Sequence, residues 1–186
     1  MVGRKRRRDG AGRPVEDKPA PSSLPADEQR ALCREAALRL LSAADRPAAQ
    51  LRERLARKGF SGWIVAEVVE RLRETGLVND ERFAAQFAES AAARGNAARR
   101  IQMDLARKGV EAEPAARAAT THPDEEEARA LRLAAKRAAQ MSALPREVRW
   151  RRLTGLLARR GFAPDVCRKA VEHALGESSD DPIALD

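Results

Sequence analysis

The residues of this sequence best suited to chemistry are cations, and they recur. A basic pair precedes a glycine three times, as Arg57-Lys58-Gly59, Arg107-Lys108-Gly109 and Arg159-Arg160-Gly161. Two neighbouring stretches add Arg94, Arg99 and Arg100, then Arg146, Arg149, Arg151 and Arg152. Guanidinium and ammonium groups repeated at a regular interval can follow a phosphate backbone or an acidic surface. The same pairs also have a local explanation, since cations in the last turn of a helix are favoured by the negative end of its dipole. Repetition is what favours a surface: equivalent side chains of stacked units form a spaced row. The candidate partner-binding residues are therefore Arg57, Lys58, Arg99, Arg100, Arg107, Lys108, Arg151, Arg152, Arg159 and Arg160.

Other chemistries find little material. The two histidines are His122, beside Pro123 in a connection, and His173 near the end of the last helical pattern. No nucleophile elbow, phosphate-binding glycine loop or dinucleotide fingerprint is present. Cys167 and His173 are six residues apart, which places them about 240° around a helix, where they cannot share a metal. The acidic run Asp124 to Glu127 reads as the first turn of a helix, where carboxylates offset the dipole. No catalytic residue, metal ligand or cofactor is assigned. Among the aromatics, Phe60 and Phe162 belong to helix stops and Phe83 and Phe87 face inward with Ala91. Trp63 and Trp150 read as partly buried packing residues rather than platforms for stacked bases. Cys33 and Cys167 read as small buried hydrophobes.

The elements that must carry these residues follow from composition. Of 186 residues, 43% are hydrophobic but only 3% are aromatic and none is Tyr, so the core is built from Leu, Val and Ala. Such material suits helices, and the fold class is all-α. No run approaches the roughly 18 apolar residues of a membrane span, and no apolar segment follows the basic start, so a cytoplasmic protein without membrane contact is expected. Residues 1–26 hold seven basic residues against three acidic ones with four prolines, and read as a disordered basic arm. Residues 176–186 hold four acidic residues and no base, a solvated acidic tail. The tails cancel, so the net charge of +8 belongs to the body between them.

The body is repetitive. Leu51-x3-Leu55-Ala56-Arg57-Lys58-Gly59-Phe60 returns as Ile101-x3-Leu105-Ala106-Arg107-Lys108-Gly109-Val110 and as Leu153-x3-Leu157-Ala158-Arg159-Arg160-Gly161-Phe162, with the glycines 50 and 52 residues apart. Each phrase encodes a helix stop: Gly in the left-handed conformation, and an apolar residue after it to meet the Leu four before it. Ile64, Val65, Val68, Val69 and Leu72 then form one helical face ending at Gly76, with Leu72 against Leu77 by the same count. Val166, Cys167, Ala170 and Val171 mirror it, whereas Pro114, Ala115, Ala118 and Ala119 predict a shorter, looser helix. A leading helix completes each unit. The first runs from Asp27 to Ala43; the second is capped by Asn79; the third runs from Pro123 to Ala139, with Pro145 opening its partner. Three three-helix repeats result, over 27–77, 78–121 and 122–175. An array of this kind, closed at its ends, is expected to be monomeric.

These residues resemble a known family. Leu51-x3-Leu55-x2-Lys58-Gly59-Phe60, followed by Gly76-Leu77-Val78-Asn79-Asp80-Glu81-Arg82-Phe83-Ala84 and by Leu105-x2-Lys108-Gly109, look like RecX, the bacterial regulatory proteins of the RecA recombinase. The resemblance spans about Ala31 to Leu175, with Pro47 where the family often has Ser. It implies a curved array of three-helix repeats that lodges in the groove of the RecA filament on DNA and modulates, chiefly by restraint, RecA's ATP hydrolysis, strand exchange and coprotease activity in recombination and repair. The partners it implies are RecA and the RecA–DNA filament. A helical protein that binds DNA without RecA through its basic face is the alternative.

Overall fold

The structure, a computed structural model, describes residues 20–120 and 123–176, among which nine α-helices and no strand are found. They are α1 Ala26–Ala43, α2 Ala48–Arg57, α3 Gly62–Glu74, α4 Asp80–Ala93, α5 Ala98–Arg107, α6 Ala112–Ala119, α7 Pro123–Ala139, α8 Arg146–Arg159 and α9 Pro164–Leu175. Three core clusters divide them into three units of three helices. The first gathers Cys33, Ala37, Leu51, Leu55, Ile64 and Val69, the second Ala84, Ala88, Ile101, Leu105 and Val110, the third Ala130, Ala134, Leu153, Leu157 and Phe162. Each middle helix contributes two fully buried aliphatic side chains, every one stabilising its unit by about 1.5–3 kcal/mol.

The helix stops form as their residues dictate. Gly59, Gly109 and Gly161 take φ of 87°, 83° and 92°. At Gly109 both bonds of the Schellman motif are present: the Gly109 amide donates to the Ala106 carbonyl (2.9 Å) and that of Val110 to the Leu105 carbonyl (3.1 Å). Gly161 and Phe162 repeat them on Ala158 and Leu157 at 3.0 and 3.3 Å. The stop at Gly76 departs from expectation. Leu77 is 48% exposed, and it is Val78 that is buried and whose amide reaches the Leu72 carbonyl at 3.0 Å. The following helix explains the difference: Asn79 must stand at its N-cap, where the side chain accepts from the Arg82 amide at 2.8 Å, and this pulls Val78 inward.

The inward face of α4 keeps Ala91 as expected but is shifted by one position at the two aromatics. Ala84, Ala88 and Ala91 are buried, while Phe83 and Phe87 lie half-buried at the cluster edge with ring centroids 6.2 Å apart. Small residues let α4 close on α6, and the rings are too large for that seam. Trp63, expected to pack, is 56% exposed, with the Arg30 guanidinium 5.1 Å from its ring centroid. Trp150 is half-buried against the third core.

Between units the contacts are narrow and follow one rule. The stop glycine of each middle helix backs onto the first turn of the middle helix before it: Gly109 onto Ala49, Gly161 onto Arg100. A carboxylate from the next unit's leading helix then takes the first amide of that turn. Asp80 accepts from Ala48 at 2.8 Å and Glu126 from Ala98 at 3.0 Å. The middle helices α8, α5 and α2 thus run tail to head as a spine. Its far end is covered too, since Gly59 is met by Pro21 of a short 3-10 turn, Pro21–Ser23. Residues 20–26, given to the arm on sequence, therefore carry ordered structure, Ala26 being the first residue of α1; the rest of the arm, residues 121–122 with His122, and the tail beyond Gly176 lie outside the described residues. At the opposite end α8 has fourteen residues where α2 and α5 have ten, so Arg146 to Arg149 form an extra turn.

The joints set apart two kinds of glycine. In Gly161→Ala the added Cβ would lie 2.7 Å from Arg100 Cβ, and in Gly109→Ala it would overlap Ala49, whereas at Gly76, also left-handed at φ 73°, it would meet nothing. Urea unfolding should show Gly76→Ala costing about 1–2 kcal/mol and the two joint variants about 1–3 kcal/mol more. Equal losses at all three would remove packing at the joints from the account.

Candidate functional site

The candidate cations gather where the units meet. At the joint of units one and two, Arg57 of α2 faces Arg107 and Lys108 of α5 across a cleft of about 450 Å³ that Arg46 and Arg54 also line. At the next joint Arg99 and Arg100 of α5 face Arg159 and Arg160 of α8 across one of about 610 Å³. Arg151 and Arg152 share a third hollow with Arg137 and, again, Arg159. Lys58, exposed at the end of α2, lines none of the three. The two joint clefts are equivalent positions of the repeat, so the spine presents its charge at unit intervals.

The ten candidates differ in what holds them. Arg100 is tied to Asp104 (2.8 Å), which also draws Arg107 (3.6 Å). Arg57 pairs with Glu53 one turn earlier. These exposed or half-exposed pairs constrain little, as such bridges contribute about 0–1 kcal/mol. Lys108 holds its ammonium 5.2 Å from the Phe87 ring centroid. Lys58, Arg99, Arg151, Arg152 and Arg159 are exposed, and their side chains make no hydrogen bond or ion pair among the described residues.

Arg160 has another role. Its Nη1 donates to the Arg94 carbonyl (2.6 Å) and to Asn96 Oδ1 (2.9 Å), and its own carbonyl accepts from the Ala97 amide (3.0 Å). It is mortar between units two and three. Arg146 likewise turns away, capping α9 by donating to the Leu175 and Gly176 carbonyls at 2.9 Å each. Arg149 is half-buried, with an Nε that meets no acceptor. Sequence reasoning passed over Arg46 and Arg54. Arg54 stands three before Arg57 on the same face of α2, a signal that was available; Arg46 precedes Pro47 in a connection and gives none.

The remaining candidates stay outside any reactive arrangement. Of the acidic run, Glu126 serves the joint and Glu127 pairs with Lys169 at 3.5 Å. No three His, Cys, Asp or Glu side chains among the described residues come together as metal ligands. Cys33 sits in the first core and Cys167 in the third; burial pushes the Cys33 thiol up to about 11, and burial, then Asp165, pushes that of Cys167 up as well. His173 is exposed on α9. No helix of the described residues is long and apolar enough to cross a membrane.

The division of labour among the arginines is measurable. Arg160→Ala should lower stability by about 1–3 kcal/mol, by removing the donor of two hydrogen bonds across the joint. Arg99→Ala and Arg159→Ala should stay within about 0.5 kcal/mol of the parent in the same urea titration. A silent Arg160→Ala would return that residue to the exposed group.

Comparison with known proteins adds to this geometry. Family models described as the first, second and third three-helix domains of RecX match residues 33–72, 79–118 and 124–171. A protein of Thermobifida fusca named regulatory protein RecX is 38% identical over 170 residues, covering 90% of this chain and 89% of its own. One of Streptomyces coelicolor with the same name is 36% identical over 169 residues, covering 89% and 87%. The fold is similar to the crystal structure of RecX from Lactobacillus salivarius, with TM-score 0.68 and 19% identity over 78% of this chain and 96% of that one.

Proposed function

The chain belongs to the RecX family of regulatory proteins, and we propose that it is a non-enzymatic modulator of RecA that binds in the groove of the RecA–DNA filament through its spine. There it restrains ATP hydrolysis, strand exchange and coprotease activity in recombination and repair. The observation that carries this reading is the group of exposed cations Arg99, Arg151, Arg152 and Arg159, which have no partner among the described residues and are ranged along helices joined tail to head. A filament of protein on nucleic acid is a polyanion with its own repeat. A row of cations at unit intervals can engage it at several points, and modest contacts then combine through high effective concentration. Arg57, Lys58, Arg107 and Lys108 extend the row into the first joint. Arg100 sits beside them, and Arg160 supports the surface from beneath by holding units two and three in register. A monomer suffices for this arrangement, because Pro21 and the extra turn of α8 close the two ends of the spine.

The decisive assay is RecA's DNA-dependent ATP hydrolysis on single-stranded DNA, titrated with the protein well below the RecA concentration, beside a binding assay on the same DNA without RecA. Inhibition at substoichiometric protein is expected. The double variant Arg99→Glu, Arg159→Glu, with unchanged circular dichroism, should raise the half-inhibiting concentration roughly tenfold or more. Tight binding to bare DNA with no effect on RecA would favour the alternative, a DNA-binding protein that acts alone.

A further inference from the structure

The two joints share a plan but not a strength. Five hydrogen bonds cross from unit two to unit three: Ala97 to the Arg160 carbonyl, Arg160 to the Arg94 carbonyl and to Asn96, Arg129 to the Asn96 carbonyl at 3.0 Å, and Ala98 to Glu126. Ala97 is moreover fully buried in the core of unit three. From unit one to unit two three cross among the described residues, and two of them, Val78 to the Leu72 carbonyl and Arg82 to the Gly76 carbonyl, belong to the connection between α3 and α4; the spine itself is joined by one, Ala48 to Asp80. The sequence accounts for the difference. Pro47 occupies the position of Ala97 and has no amide hydrogen to give to the carbonyl of Lys108, which occupies that of Arg160. Lys108 directs its ammonium back to Phe87 of its own unit, where Arg160 reaches across.

The weaker joint also carries the more one-sided charge. Arg46, Arg54 and Arg57 of unit one face Arg107 and Lys108 of unit two over the cleft, and Glu53 is the one carboxylate lining it. Like charges on two bodies whose spine helices share one hydrogen bond oppose closure of the cleft, and a chain of anions lying between them would reverse the sign. Four of the five cations are arginines, whose planar forks accept a phosphate through two parallel hydrogen bonds. We propose that the joint between units one and two is a hinge closed by a nucleic-acid phosphodiester chain bound between Arg46, Arg54 and Arg57 on one side and Arg107 and Lys108 on the other, while units two and three turn as one body. The inference rests on the basic spine being a polyanion-binding surface and adds that binding sets the shape of the array.

Distance distributions between spin labels test it on the full chain. The native thiols Cys33 and Cys167 are buried and stay unlabelled, so labels go to exposed sites, Ala66→Cys with Glu89→Cys across the first joint and Glu89→Cys with Ala135→Cys across the second. In the free protein the first pair should give a distribution at least about twice as wide as the second. A single-stranded dT oligonucleotide should narrow the first and leave the second unchanged. Adding Arg54→Gln with Arg57→Gln, both exposed, should abolish that narrowing. Equal widths in the free protein, or no response to the oligonucleotide, would overturn the hinge; equal narrowing by polyglutamate of the same charge would overturn the phosphodiester assignment. These readouts need no RecA. A failed ATPase titration with a responsive first joint would cost the RecA reading and leave the hinge, and a normal titration with a rigid joint would do the reverse.

Discussion

Everything in this fold depends on the absence of a side chain at three positions. A glycine at the end of each middle helix does two things at once: it lets the backbone turn left-handed so that the helix can stop, and it leaves room for the first turn of another element to lie against the stop. The first task is local and any C-cap glycine performs it. The second makes an array out of three small bundles, since a unit of about fifty residues has too little core to be robust alone. Both cross-unit carboxylate bonds, Asp80 to Ala48 and Glu126 to Ala98, form beside such a contact, satisfying an amide that the start of a helix leaves without a partner.

How much of this could be read in the sequence depended on distance along the chain. The three stops, the N-cap at Asn79 and the shortness of the third helix of unit two rest on interactions within a few residues, and each emerged where its residues predict; that helix is nonetheless packed against both its partners. The face of α4 was harder, because Phe83/Phe87 and Ala84/Ala88 are adjacent series with identical spacing; only the closeness of α6 selects the small one. The role of the stop glycines between units was not legible at all. What lies opposite Gly161 is Arg100, sixty-one residues earlier, and no local pattern specifies that pairing.

The candidate site shows the same limit in sharper form. Arg159 and Arg160 are neighbours with the same chemistry, yet one is exposed and without partners among the described residues and the other holds two units together. A turn of about 100° around the helix axis separates them, and its consequence depends on where Arg94 and Asn96 have been carried by another helix. Dipole preference and surface charge were competing explanations for each pair. They prove to be compatible: residues drawn to the helix ends by the dipole stand at the joints, because the joints are helix ends, and so a preference that is local in origin concentrates charge along the spine.

The extra turn of α8 bears on what can dock at that end of the spine. A repeat placed after unit three by the rule of the two joints would have to set its stop glycine against the first turn of the preceding middle helix. In α2 and α5 that turn is open to receive it. In α8 the equivalent residue is Trp150, with Arg146 to Arg149 built out in front of it and Arg146 already engaged with the end of α9. A further unit docked by the same rule would have to displace that turn of α8.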